Sequence, residues 1–327
     1  MIKRLWLSAL LVTTSAGAFA FDCCPSNNQW TVTGEYLYFR PSVDDTYFVL
    51  DADATSTFPT GTRENNDPTF RSGYRVGGSY SFAENDSQVK FFYSHLGFSQ
   101  AKTIAGDFLW ATVGRADFAS AFENYAGTAS SDLEYLYQRY DAVLCQQVYN
   151  NCGLNIGLGF GVEAAEMKLN EDFTFVAAQS TGIIEQRSKS WGFGPQFGVE
   201  LGYDLYAGDE CSCLPGNLEF NFLTSGSILA AHTKTSAFNS VAGAAILDVS
   251  DHRTWRIIPA LHTRLGFDYD MNFSCADLTI GIGYEFTSYF RGLARTSYPD
   301  DVADGLSVTN YYNFDMQGLY VNANVRF

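Results

Sequence analysis

The stretch "WGFGPQFGVELGYDL", residues 191–205, decides the fold because its side chains alternate in type along its whole length. Eight apolar residues, from Trp191 to Leu205, occupy the odd-numbered positions, and small or polar residues, from Gly192 to Asp204, occupy the even-numbered positions. Successive side chains of a β-strand point to opposite faces, so the pattern predicts one long strand with an apolar and a polar face. Strands of soluble proteins are usually shorter, at about 5–6 residues.

Nine further segments alternate in the same way, although the fourth is noisier and the seventh loses its pattern near Ser225. They cover residues 29–40, 70–82, about 88–100, about 133–147, 154–163, from 218, 255–269, 278–286 and 318–327. Aromatic residues lie towards both ends of the apolar faces, as Trp191 and Tyr203 do, which is typical of strands that cross a membrane. Only a closed barrel pairs every backbone group of such strands in lipid. We therefore predict an all-β fold, a transmembrane, antiparallel, up-and-down β-barrel of ten strands, rather than a soluble β-sandwich.

The connections alternate between short and long, which predicts short periplasmic turns and long external loops. The predicted turns are residues 83–87, 148–153, 206–217 and 270–276, and the predicted loops are 41–69, 101–132, 169–188, 232–252 and 291–312. Residues 107–122, "DFLWATVGRADFASAF", are compatible with another hairpin, a short helix or a loop folded into the lumen. A barrel of twelve strands is therefore the alternative.

The N-terminus has the pattern of a secretory signal peptide, with Lys3 and Arg4, an apolar run, and a small-residue site before cleavage after Ala20. We predict a signal peptide at 1–20, a periplasmic segment at 21–28, a barrel at 29–327, and localisation in the outer membrane of a Gram-negative bacterium. Asp22 directly before Cys23 argues against a lipoprotein site. The net charge of −16 disfavours nucleic acid as a partner, because phosphate contacts need Lys and Arg.

Seven cysteines all fall at or near the predicted periplasmic side, namely Cys23, Cys24, Cys145, Cys152, Cys211, Cys213 and Cys275. The periplasm is oxidising, so all seven are disulfide candidates. An odd number leaves at least one thiol available to another chain, and both intramolecular pairing and cross-linking to envelope proteins stay open. No metal is predicted, because one residue between Cys211 and Cys213 is tight for zinc and no His lies nearby.

The polar faces predict the residues that line the barrel interior. They carry both charge signs, which suits either an aqueous channel or cross-strand pairs that fill a narrow barrel. Glycines on this face, such as Gly281 and Gly283, leave room and favour a pore. The predicted pore-lining residues are Arg71, Arg75, Lys90, Glu163, Gln196, Glu200, Asp204, Arg256, His262, Arg264, Asp268, Glu285, Asn322, Asn324 and Arg326.

Several segments together resemble the Legionella-type major outer membrane protein family, which also occurs in chlamydia-like bacteria. The resemblance rests on "WTVTGEYLYFRP", "RSGYRVGGSY", "LEYLYQRYDAVL", "SWGFGPQFGVELGYDL", "IIPALHTRLGFDYD", "LTIGIGYEF" and "GLYVNANVRF", in this order. It covers most of the chain after residue 20, on loose motifs of Gly and aromatic positions. It implies an abundant, pore-forming outer-membrane barrel without catalytic residues, and the many cysteines look like the chlamydial disulfide-linked envelope.

The expected function is a porin for passive diffusion of small solutes that also supports envelope structure, without catalysis or a cofactor. The alternatives are a structural or adhesive coat barrel with a closed lumen and, less favoured, a barrel enzyme. Expected partners are outer-membrane lipid, the barrel assembly machinery and disulfide-linked copies or other envelope proteins. The chain ends inside its last strand, so Gly318, Tyr320, Val325 and Phe327 are predicted to form an assembly signal.

Overall fold

The computed structural model describes residues 29–43, 46–52, 60–82, 87–207, 216–273, 276–298 and 307–327. These residues form twelve strands and one short helix. The strands are β1 (Gln29–Val43), β2 (Tyr47–Ala52), β3 (Gly61–Asn65), β4 (Arg71–Phe82), β5 (Ser87–Ala111), β6 (Tyr125–Asn151), β7 (Leu154–Ala177), β8 (Ser180–Ala207), β9 (Asn217–Val241), β10 (Ala244–Asn272), β11 (Asp277–Ser297) and β12 (Val308–Arg326), and the helix is α1 (Ala116–Ala121).

Ten of these strands close into one antiparallel ring, which confirms the predicted barrel. The ring runs β1, β4 to β12 in sequence order, and β12 returns to pair with β1 along thirteen residue pairs from Thr31–Arg326 to Val43–Phe314. The remaining strands, β2 and β3, form a hairpin whose first strand pairs with β5 beyond the ring. We call the end at which β1 begins and β12 ends the inner end, and the opposite end the outer end.

A band of exposed apolar side chains surrounds the ring and marks the part that crosses the membrane. The pattern of residues 191–205 lies as the alternation predicts, because Phe193, Phe197 and Tyr203 point outward and are about half exposed. The terminal strand follows the same rule, with Leu319 and Phe327 exposed on the outside. An exposed face of this size and composition on a soluble protein would lead to association, whereas lipid covers it on a membrane barrel.

The predicted long external loops are wrong in detail, because most of them are strand. β5 to β10 are 24 to 29 residues long, whereas about 9–11 residues suffice to cross a bilayer. These six strands therefore continue beyond the membrane at the outer end. The predicted loop 169–188 reduces to a two-residue turn between Ala177 and Ser180.

Two of the two-residue turns contain two successive positive φ angles. Residues 242–243 join β9 to β10 at the outer end, with φ of 50° at Ala242 and 80° at Gly243. Cys152 and Gly153 join β6 to β7 at the inner end, with φ of 54° and 78°. Two successive positive φ angles are typical of the two-residue hairpin turn whose twist fits antiparallel strands.

The outer end is covered by a group of apolar side chains that we call the outer cap. Residues 107–122 prove to be the end of β5 followed by helix α1, so the short-helix alternative is correct for this stretch. The helix and the β2–β3 hairpin pack their side chains onto the outer parts of β6 to β8. The buried members of the outer cap are Phe48, Val49, Leu109, Phe118, Phe122, Tyr125, Ala129, Phe173, Phe175 and Ile184. Throughout the described ranges, no helix has the length and apolar character needed to cross a bilayer.

Candidate functional site

The interior of the barrel opens at the inner end as a wide polar cavity, which we call the inner vestibule. Its volume is about 730 Å³. Lys90, Glu200, Arg264, Asp268 and Arg326 are among the side chains that line it. The vestibule reaches inward only as far as a set of paired charges.

These charges form the charged layer, a group of ten residues that fills the middle of the barrel: Glu35, Arg75, Lys90, Arg139, Asp141, Glu163, Glu200, His262, Arg264 and Glu285. Arg75 lies at its centre and holds Glu285 through two bonds, of 2.7 and 2.9 Å. It also donates to Glu35 at 2.8 Å and to Ser94 at 2.8 Å. The planar guanidinium suits this fork-to-fork contact with a carboxylate.

Two further cations complete the side of the charged layer that faces the vestibule. Arg264 donates to the second oxygen of Glu35 at 2.9 Å, and its guanidinium lies 3.9 Å from the centre of the Tyr320 ring. Lys90 donates to both oxygens of Glu200 at 2.7 Å. Both contacts link strands across the lumen, so each cation helps to close the barrel interior.

A buried histidine lies on the other side of the layer. His262 contacts Glu163 through Nε2 at 3.0 Å and Thr287 through Nδ1 at 3.2 Å. The other oxygen of Glu163 accepts from the Tyr289 hydroxyl at 2.8 Å. A hydroxyl, an imidazole and a carboxylate in this order are also the parts of a nucleophile, a base and an orienting group. Thr287 is only 1% exposed, however, so a substrate has no access to it, and we assign the arrangement to packing.

The charged layer is close to balanced, because five carboxylates face four permanent cations and His262. Arg139 donates to Asp141 at 2.8 Å and lies 3.6 Å from Glu163. A cavity of about 90 Å³ remains between these side chains and the vestibule. It has room for a few water molecules and polar groups to hold them.

An apolar layer fills the lumen next to the charged layer, on the side towards the outer end. The same strands supply both layers, as when β1 continues from Glu35 to Leu37 and Phe39. The buried members are Leu37, Phe39, Leu96, Leu133, Tyr135, Tyr137, Ala165, Met167, Leu169, Leu229, Ala231, Ile258, Ala260, Tyr289, Leu293, Phe314, Met316 and Tyr320. The barrel interior is therefore filled by side chains at this level rather than by water.

The outer part of β11 closes the interior further, and we call residues 290–295 the closing segment. Pairing of β11 with β10 ends at Tyr289, and a bulge follows before pairing with β12 resumes at Leu293. The segment then contacts strands that are not its neighbours in the ring. The Ala294 amide donates to Ser188 Oγ of β8 at 3.1 Å, and Arg295 Nε donates to Glu171 of β7 at 3.0 Å.

The predicted pore-lining residues all project to the inside, but the structure divides them among different levels. Arg75, Glu163, Gln196, His262 and Glu285 are buried in the middle of the barrel. Arg71 and Arg256 lie closer to the outer end, over the rings of Phe98 and Tyr311 respectively. The residues that border the vestibule or the inner end are Lys90, Glu200, Asp204, Arg264, Asp268, Asn322, Asn324 and Arg326.

The glycines on the inner face do not leave an open passage. A Cβ atom built on Gly283 would overlap the Tyr320 hydroxyl, and one built on Gly281 would overlap the Asp268 carboxylate. These glycines therefore make room for larger side chains of neighbouring strands.

Sequence reasoning missed four central residues of the charged layer and its border, Glu35, Arg139, Asp141 and Tyr289. Glu35 lies on the face that continues with Leu37 and Phe39, so no simple polar face marks it. Arg139 and Asp141 belong to the noisier fourth segment. The alternation along β6 would have identified them. Both lie at odd-numbered positions, and the odd-numbered side chains on either side of Glu134 face the lumen.

Two cysteines lie within the described residues. Cys145 is buried and faces the lumen, with its Sγ 3.6 Å from Glu200. Cys152 is exposed in the turn at the inner end. Both have free thiols, so neither bonds the other. The other five candidates, Cys23, Cys24, Cys211, Cys213 and Cys275, lie outside the described residues, as does the predicted signal peptide.

The chain matches a known protein family over nearly its whole length. Residues 23–327 match the family of the Legionella pneumophila major outer membrane protein precursor. The chain belongs to this family. Membership in the major outer membrane protein family agrees with the ring of ten strands and the outward apolar band. No protein with a curated description matches the sequence.

Three solved structures match the chain at low similarity. The outer membrane protease OmpT from Escherichia coli is 9% identical, with 91% of this chain and 96% of that chain covered and a TM-score of 0.38. A Pseudomonas aeruginosa FadL homologue is 9% identical, with coverages of 92% and 90% and a TM-score of 0.30. The Ralstonia pickettii toluene transporter TbuX is 12% identical, with coverages of 92% and 89% and a TM-score of 0.28. At these scores the likeness carries no conclusion about function.

Proposed function

We propose that this member of the major outer membrane protein family is a structural barrel of the outer membrane whose lumen is closed at rest. The observation that supports this is the burial of the inner face. Arg75, Arg139, Glu163, His262 and Glu285 are each no more than 6% exposed, although they lie where a channel would run. Side chains that line a water-filled pore would be solvated, so this burial favours a closed interior over the open diffusion pore that the sequence suggested.

The energetics support the same proposal. A passage through the charged layer has to separate ions that are desolvated and mutually bonded. Breaking a buried pair so that one charge is left without its partner costs about 3–5 kcal/mol. Arg75 alone bonds two carboxylates, so a continuous opening at this level is rarely populated.

The role in the envelope then comes from the outer surface and the inner end of the barrel. Outer-membrane lipid covers the apolar band, and the terminal strand, with Phe327 hydrogen-bonded in both directions to Trp30, is the element offered to the assembly machinery. The exposed thiol of Cys152 at the inner end is available for a disulfide with another envelope protein.

Liposome swelling tests the closed lumen. Proteoliposomes that contain the folded barrel are diluted into an isotonic solution of a small sugar, and light scattering follows their swelling. We expect a rate equal to that of protein-free liposomes. Swelling that scales with the amount of barrel and falls with sugar size would reject the proposal in favour of a permanently open pore.

A gated diffusion pore is the second candidate, and the closing segment favours it. The bulge places residues 290–292 opposite the single residue Asn313, so β11 carries two extra residues there. Deleting Arg291 and Gly292 leaves Phe290 opposite Asn313 and lets β11 continue along the wall. A gated pore predicts that this deletion raises conductance strongly, whereas a purely structural barrel predicts no change, because the charged layer still closes the lumen.

A further inference from the structure

We propose that the outer wall formed by β1, β4, β5 and β6 is the surface at which copies of this chain contact each other in the membrane. The proposal rests on seven outward-facing side chains with hydroxyl, imidazole or amide groups, which we call the polar patch. They are Tyr36, Ser72, Tyr74, Tyr93, His95, Gln138 and Tyr140. The proposal holds for an open and for a closed lumen, because it concerns only the outside of the wall.

The polar patch lies at the height of the charged layer, within the apolar band. Tyr74 directly precedes Arg75 in β4, and Tyr140 has a residue of the charged layer on either side in β6. Successive side chains of a strand point to opposite faces, so each of these tyrosines is the outward neighbour of an inward charge. Along the chain, Tyr74 lies between the exposed rings of Phe70 and Phe82. The patch therefore lies between the aromatic girdles rather than in one of them.

The members of the polar patch form one cluster across the four strands. The hydroxyls of Tyr36 and Ser72 hydrogen-bond at 2.6 Å. The ring centres of Tyr74 and Tyr93 lie 6.1 Å apart, and those of Tyr93 and Tyr140 lie 4.8 Å apart. A partner that contacts one member of the patch therefore also meets the others.

The cluster does not satisfy all of its own polar groups. Nδ1 of His95 lies 3.5 Å from the Tyr93 hydroxyl and 3.4 Å from Gln138 Nε2, so two groups share one nitrogen. Among the residues that the structure describes, neither His95 Nε2 nor Gln138 Oε1 has a hydrogen-bond partner. Acyl chains offer no donor or acceptor, and unpaired polar groups at membrane depth are costly. The wall is thus poorly suited to lipid alone.

The opposite wall is different at this height. In β8 the outward neighbours of Glu200 are Val199 and Leu201. The outward hydroxyls of Thr224 and Thr263, on β9 and β10, contact each other at 3.3 Å. This side of the barrel is therefore suited to lipid, and the polar patch distinguishes one side of the ring from the other.

A recess beside the polar patch gives a partner room to dock. Its volume is about 600 Å³, and Tyr93 and Tyr140 of the patch form part of its border. The small outward residues Gly78, Ala142 and Ala164 lie in the same recess. A side chain that projects from a second barrel can enter the wall at this point.

A second copy of the chain fits this wall for two reasons. Copies inserted in the same orientation carry the patch at the same depth, and the patch has both donors and acceptors, so it is complementary to itself. Four strands about 4.8 Å apart and a band about 25 Å tall give roughly 500 Å² per copy. Two such walls together bury about 1,000 Å², which is the size that a specific interface needs.

Photo-cross-linking of the full-length folded barrel in lipid vesicles tests the contact. Tyr74 and, as the matched control, Leu265 are each replaced by p-benzoylphenylalanine. Their side chains are 45% and 44% exposed and each adjoins an arginine of the charged layer, but Leu265 lies on β10. A reductant in every sample removes disulfide-linked copies.

We expect the Tyr74 position to give a product of twice the mass, in which the second peptide comes from β1, β4, β5 or β6. The Leu265 position should cross-link mainly to lipid. Any dimer that it forms by random collision should fall in proportion to the protein-to-lipid ratio.

The variant H95L/Q138L, made in the Tyr74 photoreactive protein, removes the two side chains whose polar atoms have no partner. The matched control is T224V/T263V, which removes two outward hydroxyls from the opposite wall. Loss of hydrogen bonds at the contact should raise the protein-to-lipid ratio for half-maximal dimer by on the order of tenfold in H95L/Q138L. The control should leave this ratio unchanged.

Three results would overturn the proposal. The Tyr74 position could cross-link only to lipid, both photoreactive positions could give the same yield of dimer, or H95L/Q138L could form dimer at the same ratio as its parent. Heat-modifiable migration on gels establishes that each variant is folded. If the double variant does not fold, Q138L alone replaces it, with an expected shift of about threefold.

Discussion

Replacing Arg75 by Met should destabilise the barrel more than the loss of any exposed ion pair. Met keeps much of the volume and removes the charge, so Glu285 loses both of its bonds to Arg75, whereas Glu35 keeps its 2.9 Å bond to Arg264. The side chains of Arg75 and Glu285 are 6% and 4% exposed, so bulk water has little access to the place of the lost partner. We expect the free energy of unfolding to fall by about 3–5 kcal/mol.

The control for this prediction is Lys102→Met, which removes an ion pair with Glu64 at the outer end. Those two side chains are 36% and 29% exposed, so the cost should be about 0–1 kcal/mol. The double variant R75M/E285M removes the unpaired charge as well and should recover about 1–3 kcal/mol relative to R75M.

Urea unfolding in lipid vesicles, followed by tryptophan fluorescence, measures all four proteins. The reasoning is wrong if R75M and Lys102→Met differ by less than 1 kcal/mol, or if the double variant is no more stable than R75M. Either result would mean that the charged layer is hydrated in solution.

The remaining predictions concern the thiols, the terminal strand and the closing segment. In the folded barrel a maleimide should label the exposed Cys152 quickly and Cys145, which is only 7% exposed, mainly on unfolding; equal rates read by mass spectrometry would show that the reagent reaches Cys145 through the inner vestibule of the folded barrel. Deleting Phe327 removes its two 2.9 Å backbone bonds to Trp30, so less heat-modifiable barrel should be assembled at unchanged synthesis, and an unchanged amount would exclude a role in assembly. Gly292→Val should lower the unfolding free energy by about 1–3 kcal/mol, since its Cβ would lie 3.0 Å from Met167 Sδ; an unchanged urea midpoint would show that the closing segment packs loosely.

The strands were predictable from sequence only where a single parity stays apolar. In β7, Phe160 and Val162 point outward into the membrane band, whereas Phe173 and Phe175 point inward to the outer cap. The apolar residues thus change parity within one strand, because the outside changes from lipid to water. A prediction that requires the apolar residues to stay at only odd-numbered or only even-numbered positions ends the strand at that change. The outer parts of the long strands were therefore predicted to be loops.

The charged layer was only partly predictable, for a different reason. Parity identified Arg75 and Glu285 as inward-facing, but not that they bond each other, since 210 residues separate them along the chain. Contacts across a lumen depend on the stagger of all the strands between, which sequence alternation does not encode. The same alternation is compatible with a filled interior and with an open one.

Electrical recording from single barrels tests the central claim of a closed lumen most directly. The refolded, full-length protein is inserted into a planar bilayer, and insertion is established independently by heat-modifiable migration and protease protection. The account predicts that fully inserted barrels carry no sustained current at low voltage, with brief openings at most. Stable current steps from the wild-type protein under these conditions would contradict it.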